Sequence, residues 1–202
     1  MPNKKTVVRT NSTPNSIKEV NLKVVSFSEL WSAYPRSAPC TDPATGKPAF
    51  EDECAIRMGT CLAAVGITNK SFKGEKCWFQ GHSPSHMLRA KEVAGWLRLQ
   101  PFAGCPKPQA VTGKDWQDKV KGQTGILFFG NYWRRSLKEK DPSGDHIDFW
   151  NGERLTPSTE TTLRFDVGIS RVWNPLSLVG IGSENLFSNL AEAKQILFWN
   201  IR

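Results

Sequence analysis

Glu53-Cys54-Ala55-Ile56-Arg57-Met58-Gly59 is the stretch on which the fold turns, together with His146-Ile147-Asp148-Phe149-Trp150-Asn151-Gly152 further along the chain. In the first, the acidic residues Asp52 and Glu53 suit a helix N-terminus. Cys54, Met58, Cys61, Leu62 and Val65 then recur along one face at helical spacing, and Gly66 closes the element. The helix therefore opens on a cysteine. In the second stretch, strand geometry turns Ile147 and Phe149 one way and His146 and Asp148 the other. Asn151-Gly152 follows as a hairpin turn signal.

Working outward, Phe27, Leu30, Trp31 and Tyr34 stand at helical spacing, with Ser26 or Ser28 as a cap and Pro35 as a stop. A second long helix is expected to be capped by Ser83 or Ser85, with Pro84 near its start. It carries Met87, Ala90, Ala94 and Leu97 on one face. A short helix is expected at 115–120. Gly125-Ile126-Leu127-Phe128-Phe129-Gly130 has the look of a buried strand, and further strands are expected at 161–165, 169–173 and 196–201. A helical stretch is expected at 184–194. Helices first and strands afterwards predict an α+β protein, N-terminal helices packed on an antiparallel sheet. Residues 1–22 read as a flexible polar lead-in and 23–202 as a single domain.

The 202 residues are 39% hydrophobic and 23% charged, ordinary for one globular unit. No run approaches the roughly 18 apolar residues of a membrane span. Lys4, Lys5 and Arg9 are followed by no apolar core, so no secretory signal peptide is expected. A net charge of +8 points to an anionic partner, though charge alone does not choose one. The densest basic spots, Trp133-Arg134-Arg135 and 119–121, are short enough to be solvated faces. Five cysteines leave at least one thiol outside any pairing. Up to two disulfides among Cys40, Cys61, Cys77 and Cys105 fit the count. No CxxC occurs and no His follows a Cys pair at finger spacing, so neither a metal site nor a cofactor is expected.

A thiol at a helix N-terminus is where a thiolate costs least, and the same backbone N–H groups can hold an oxyanion. Cys54 has that position; Cys61, two turns on, reads as a core thiol. His146 is the base candidate, because imidazole takes a proton near neutrality. Asp148 is the orienting candidate, sharing the His146 face of its strand. His82 and His86 flank a helix start and read as caps or solvent contacts. Trp78, Trp133 and Trp150 are expected to wall a substrate groove.

The chain resembles the papain-like superfamily, its compact NlpC-type branch, and more closely the fourth family of type VI secretion amidase effectors. The likeness rests on 53–59, on 125–129 and on 146–152, with looser similarity at 30–35 and 88–97. The resemblance implies a papain-like fold and a cysteine amidase that cuts the γ-D-glutamyl–meso-diaminopimelate bond of peptidoglycan stem peptides. It further implies an antibacterial toxin, made in the cytoplasm, delivered by type VI secretion machinery without a signal peptide, and acting in the target periplasm. A cognate immunity protein over the active-site cleft is the implied partner, with no nucleic acid and no membrane. The family's third catalytic residue is an Asp on the strand after the hairpin. The corresponding stretch here reads Thr156, Pro157 and Ser158, with Glu160 beyond, which leaves these as alternatives to Asp148. A competing reading is a basic nucleic-acid- or surface-binding module with a non-catalytic, buried Cys54. It predicts that Cys54→Ala leaves function intact and that binding falls steeply with salt.

Overall fold

The computed structural model describes residues 5–9, 13–21, 24–50, 52–79, 81–83, 85–134, 138–179 and 185–202. In chain order the elements are β1 (Lys5–Arg9), β2 (Ile17–Asn21), α1 (Phe27–Ala33), α2 (Cys54–Ala64), α3 (Ala90–Leu97), β3 (Gln109–Ala110) and α4 (Trp116–Val120). There follow β4 (Gly125–Trp133), β5 (Gly144–Trp150), α5 (Thr159–Phe165), β6 (Val172–Trp173), β7 (Asn185–Phe187) and β8 (Gln195–Asn200). Strands β3, β8, β4 and β5 form one antiparallel sheet in that order, so β5 is an edge strand.

Residues 125–130 are apolar on both strand faces because β4 is covered on both sides. Ile126, Phe128, Ile147, Phe149, Leu197 and Trp199 join a core with Leu30, Met58, Leu62, Val93 and Leu97 of α1, α2 and α3. Leu127, Phe129, Trp150, Ile196 and Phe198 face the opposite way, into a second core with Trp116, Val120, Leu155 and Leu190. The alternation within each strand is the pleat's period of two, read out as two separate cores.

At the start of α1, Ser26 and Glu29 form a capping box, each side chain meeting the other residue's backbone N–H. Helix α2 ends as expected, Gly66 taking φ +88° and donating to Ala63 O. Gly59 lets α2 lie against the 85–87 segment. A Cβ there would sit 2.1 Å from Ser85 O and 3.0 Å from the Met87 methyl. Since a backbone carbonyl cannot swing aside, Gly59→Ala is expected to destabilise by about 2 kcal/mol. Thermal unfolding should show a loss of roughly 4–8 °C; an unchanged midpoint would mean α2 can slide.

Several expected elements differ. Residues 161–165 lie in a helix, not a strand. The Thr run suggested β structure, but the Ser158 hydroxyl accepts from Thr161 N at 3.0 Å and Glu160 pairs with Arg164 one turn on. The 184–194 stretch, whose first residue lies outside the described ones, is no helix. It contains β7 and a short 3-10 turn at Leu190–Glu192, capped by the Asn189 side chain. Strand β6 takes only two residues of 169–173 and pairs with β7. The second long helix begins at Ala90 rather than near Ser83. Met87 is held in a bridge with Lys76, and the Ser83 and Ser85 hydroxyls bond each other at 2.7 Å. Pro84 and Arg135 lie outside the described residues. Within the expected lead-in, β1 and β2 pair antiparallel, Lys5 opposite Asn21.

Candidate active site

Helix α2 packs across β5 and α1, which brings its first residue to the His146 end of the edge strand. The Cys54 thiol is half-buried and in hydrogen-bond contact with the His146 imidazole. His146 Nε2 lies 3.5 Å from Asp148 Oδ2, which leaves Nδ1 for the thiol. Asp148 is 4% exposed. Its other oxygen accepts from Thr156 Oγ1 at 2.6 Å and from Phe149 N at 2.8 Å. Thr161 Oγ1 in turn donates to Thr156 O at 2.8 Å, and the Tyr34 hydroxyl meets the Thr156 side chain. A relay thus runs from Cys54 through His146 and Asp148 to Thr156.

Burial alone would lower the basicity of His146. Its hydrogen bonds to Asp148 and Cys54 and the negative charge of those two groups outweigh it, and the imidazole is held well above its ordinary value. Burial, with Asp148 and Cys54 adding to it, raises the Tyr34 phenol, and burial likewise raises Tyr132. Both phenols stay neutral. Glu53, immediately before Cys54, is buried, and burial raises its carboxyl against the opposing pull of Arg57. The Arg57 guanidinium is itself fixed by Pro35 O at 3.0 Å.

Of the alternatives for the third position, Thr156 supports the Asp148 carboxylate. Ser158 caps α5 and Glu160 is engaged by Arg164. The tryptophans separate. Trp78 is 70% exposed, edge-on to Phe50 and stacked with Phe79. Trp133 covers Gly144 and, with Tyr132, Arg134 and Arg171, lines a cleft of about 250 Å³. Trp150 is 2% exposed; its ring packs on Trp116 and its indole N–H donates to Val120 O at 3.0 Å. It belongs to the core and cannot wall a groove. That correction follows from strand period: Trp150 shares the Asp148 face, deeper in the sheet.

All five cysteines are free thiols, so no disulfide joins Cys40, Cys61, Cys77 or Cys105. Cys61 donates to Leu30 O at 3.0 Å, and burial pushes it and Cys105 up to about 12, which keeps both inert. His82 and His86 are not caps; both face Cys40 and Cys77. Tyr34 and Thr156 are the site residues that sequence reasoning missed in their actual roles. The hydroxyl-rich stretch at 156–162 was the available signal.

Helices on one face of an antiparallel sheet, a cysteine opening the packed helix and a histidine on the edge strand define a papain-like, NlpC-type protein. The model of type VI secretion system amidase effector protein 4, Tae4, matches residues 50–199. The chain belongs to this family of secreted amidase effectors. Its fold is similar to that of the Tae4–Tai4 effector–immunity complex from Salmonella Typhimurium (TM-score 0.51, 16% identity, 89% of this chain and 99% of that one). It is similar too to Salmonella typhimurium Tae4 bound to the immunity protein Tai4 of Enterobacter cloacae (TM-score 0.50, 15% identity, 87% and 98%). No curated protein matches the chain.

Proposed function

We propose that this effector is a cysteine amidase that hydrolyses the γ-D-glutamyl–meso-diaminopimelate bond of peptidoglycan stem peptides in the periplasm of a target bacterium. The observation that carries the reading is the Cys54–His146–Asp148 contact at the start of a helix. Cys54 Sγ attacks the γ-carbonyl carbon while the first-turn N–H groups of α2 take up the oxyanion. The C–N bond breaks as His146 gives its proton to the leaving amine, and a thioester remains. Water, deprotonated by His146, then attacks the thioester carbon; a glutamyl carboxylate leaves and the thiol is restored. Asp148 orients the ring from Nε2, and Thr156 fixes Asp148.

Trp78, exposed beside Phe50 and Phe79, and Trp133, at the rim of its cleft with Tyr132, are assigned as groove walls. The cleft beside Trp133 also holds Arg134 and an Arg171–Glu192 ion pair, polar groups that a stem peptide could meet. An immunity protein seated over Cys54 and His146 is the expected inhibitor, as relatives have been captured with Tai4 bound. Among the described residues no helix is long and apolar enough to cross a membrane. The test is digestion of purified Gram-negative peptidoglycan under reducing conditions, with products read by mass spectrometry. New fragments ending at D-glutamate are expected; an unchanged muropeptide profile would sink the assignment, and a different new terminus would move the bond.

A further inference from the structure

Cys40, in the loop after α1, and Cys77, His82 and His86, in the loop between α2 and α3, converge although no part of the catalytic relay uses them. Each offers one ligand atom, and the four atoms lie within 4.8 Å of one another. Cys40 Sγ and Cys77 Sγ are 3.6 Å apart, and each is 3.1 Å from His82 Nδ1. A disulfide needs sulfurs about 2 Å apart. A tetrahedral zinc with Zn–S near 2.3 Å holds them roughly 3.8 Å apart. The observed spacing is the edge of that tetrahedron.

We propose that Cys40, Cys77, His82 and His86 form a structural Cys2His2 zinc site that ties the 40–50 loop to the 76–87 loop. The chemistry agrees with the geometry. Two thiolates, two neutral imidazoles and one dication sum to no net charge, which suits a site whose Cys40 and His86 are buried. The His86 ring packs 5.6 Å from the His82 ring, so both imidazoles are held at the site. His86 Nδ1 is buried without a hydrogen-bond partner among the described residues. Soft sulfur with imidazole in four-coordinate geometry selects zinc.

The backbone is already shaped around the site. Cys77 N donates to His86 O at 2.9 Å, and Ala49 N to Cys40 O at 2.9 Å. The Phe79 ring packs 5.1 Å from His82. Because the 40–50 loop runs directly into α2, the metal would fix the approach to Cys54 while standing outside the reaction. His82 and His86 carry the His-x3-His spacing of many zinc sites, but Cys40 is too remote in sequence to complete it by inspection.

The test uses the full chain carrying Cys54→Ala, purified under reducing conditions without chelator, with metal content read by plasma mass spectrometry. One zinc per chain is expected. Adding Cys77→Ser or His86→Gln should lower zinc retention after gel filtration at least about tenfold. Cobalt exchanged into the Cys54→Ala chain should show tetrahedral ligand-field bands with thiolate charge transfer, a readout that needs no further substitution. The proposal is overturned if the chain retains no zinc after incubation with excess metal, if zinc persists undiminished in both ligand variants, or if a Cys40–Cys77 disulfide forms in zinc-replete protein.

Discussion

Cys54→Ala is expected to abolish muropeptide release, a fall on the order of 10⁴ or more, while thermal stability changes by less than about 1 kcal/mol. The thiol is half-buried at a helix start, so little packing is lost with it. His146→Ala should cost nearly as much, and the double variant should be little worse than either single one. A nucleophile and its base act as a unit, and their losses do not add. Rates on isolated stem peptides would check this. A Cys54→Ala chain that still cuts would refute nucleophilic catalysis and favour the binding-module reading.

Asp148→Asn is expected to lower kcat/KM by about 10²–10³ and to move its alkaline limb toward lower pH. The sign follows from the site. Although burial works against charge on His146, Asp148 and the Cys54 sulfur together raise it, and removing the Asp148 charge removes part of that rise. An amide NH2 placed where Oδ2 stood would also face the Nε2 proton, donor against donor. The same group contributes to stability. A histidine whose folded value is raised stabilises fully below its unfolded value of about 6.5 and loses that contribution as pH climbs through the folded value. The wild-type melting temperature should therefore decline on the alkaline side more steeply than that of Asp148→Asn. Equal limbs in both proteins would mean that Asp148 only shapes the strand.

The parts of this architecture that could be read from the chain are those dictated by local spacing. The α2 face, Gly66 as its stop and the two-sided apolar run of β4 are period arguments, and all hold. So does the placement of His146 and Asp148 on one side of β5, with Ile147 and Phe149 packed into the helical core. What failed was decided by pairing at a distance. Thr161 and Thr162 suit a strand locally, yet Ser158 and the Glu160–Arg164 pair close a helix over them. Met87 fits the α3 pattern but is claimed by Lys76 across a loop. The approach of Cys40 to Cys77 spans 37 positions and depends on how two loops fold back on α2. Spacing rules built for ligand pairs close in sequence could not see it.

The order of strands in the main sheet has a consequence for synthesis. Strand β8, which reaches residue 200, lies inside the sheet between β3 and β4, and Ile201 N then donates to Thr124 O. On the ribosome, β4 and β5 emerge first and present β4 with one unpaired edge, its buried faces only half covered. The scaffold beneath the dyad is finished only when that last strand slots in. A chain that has not yet added β8 therefore carries Cys54 and His146 without the strand that pairs with β4 beneath them.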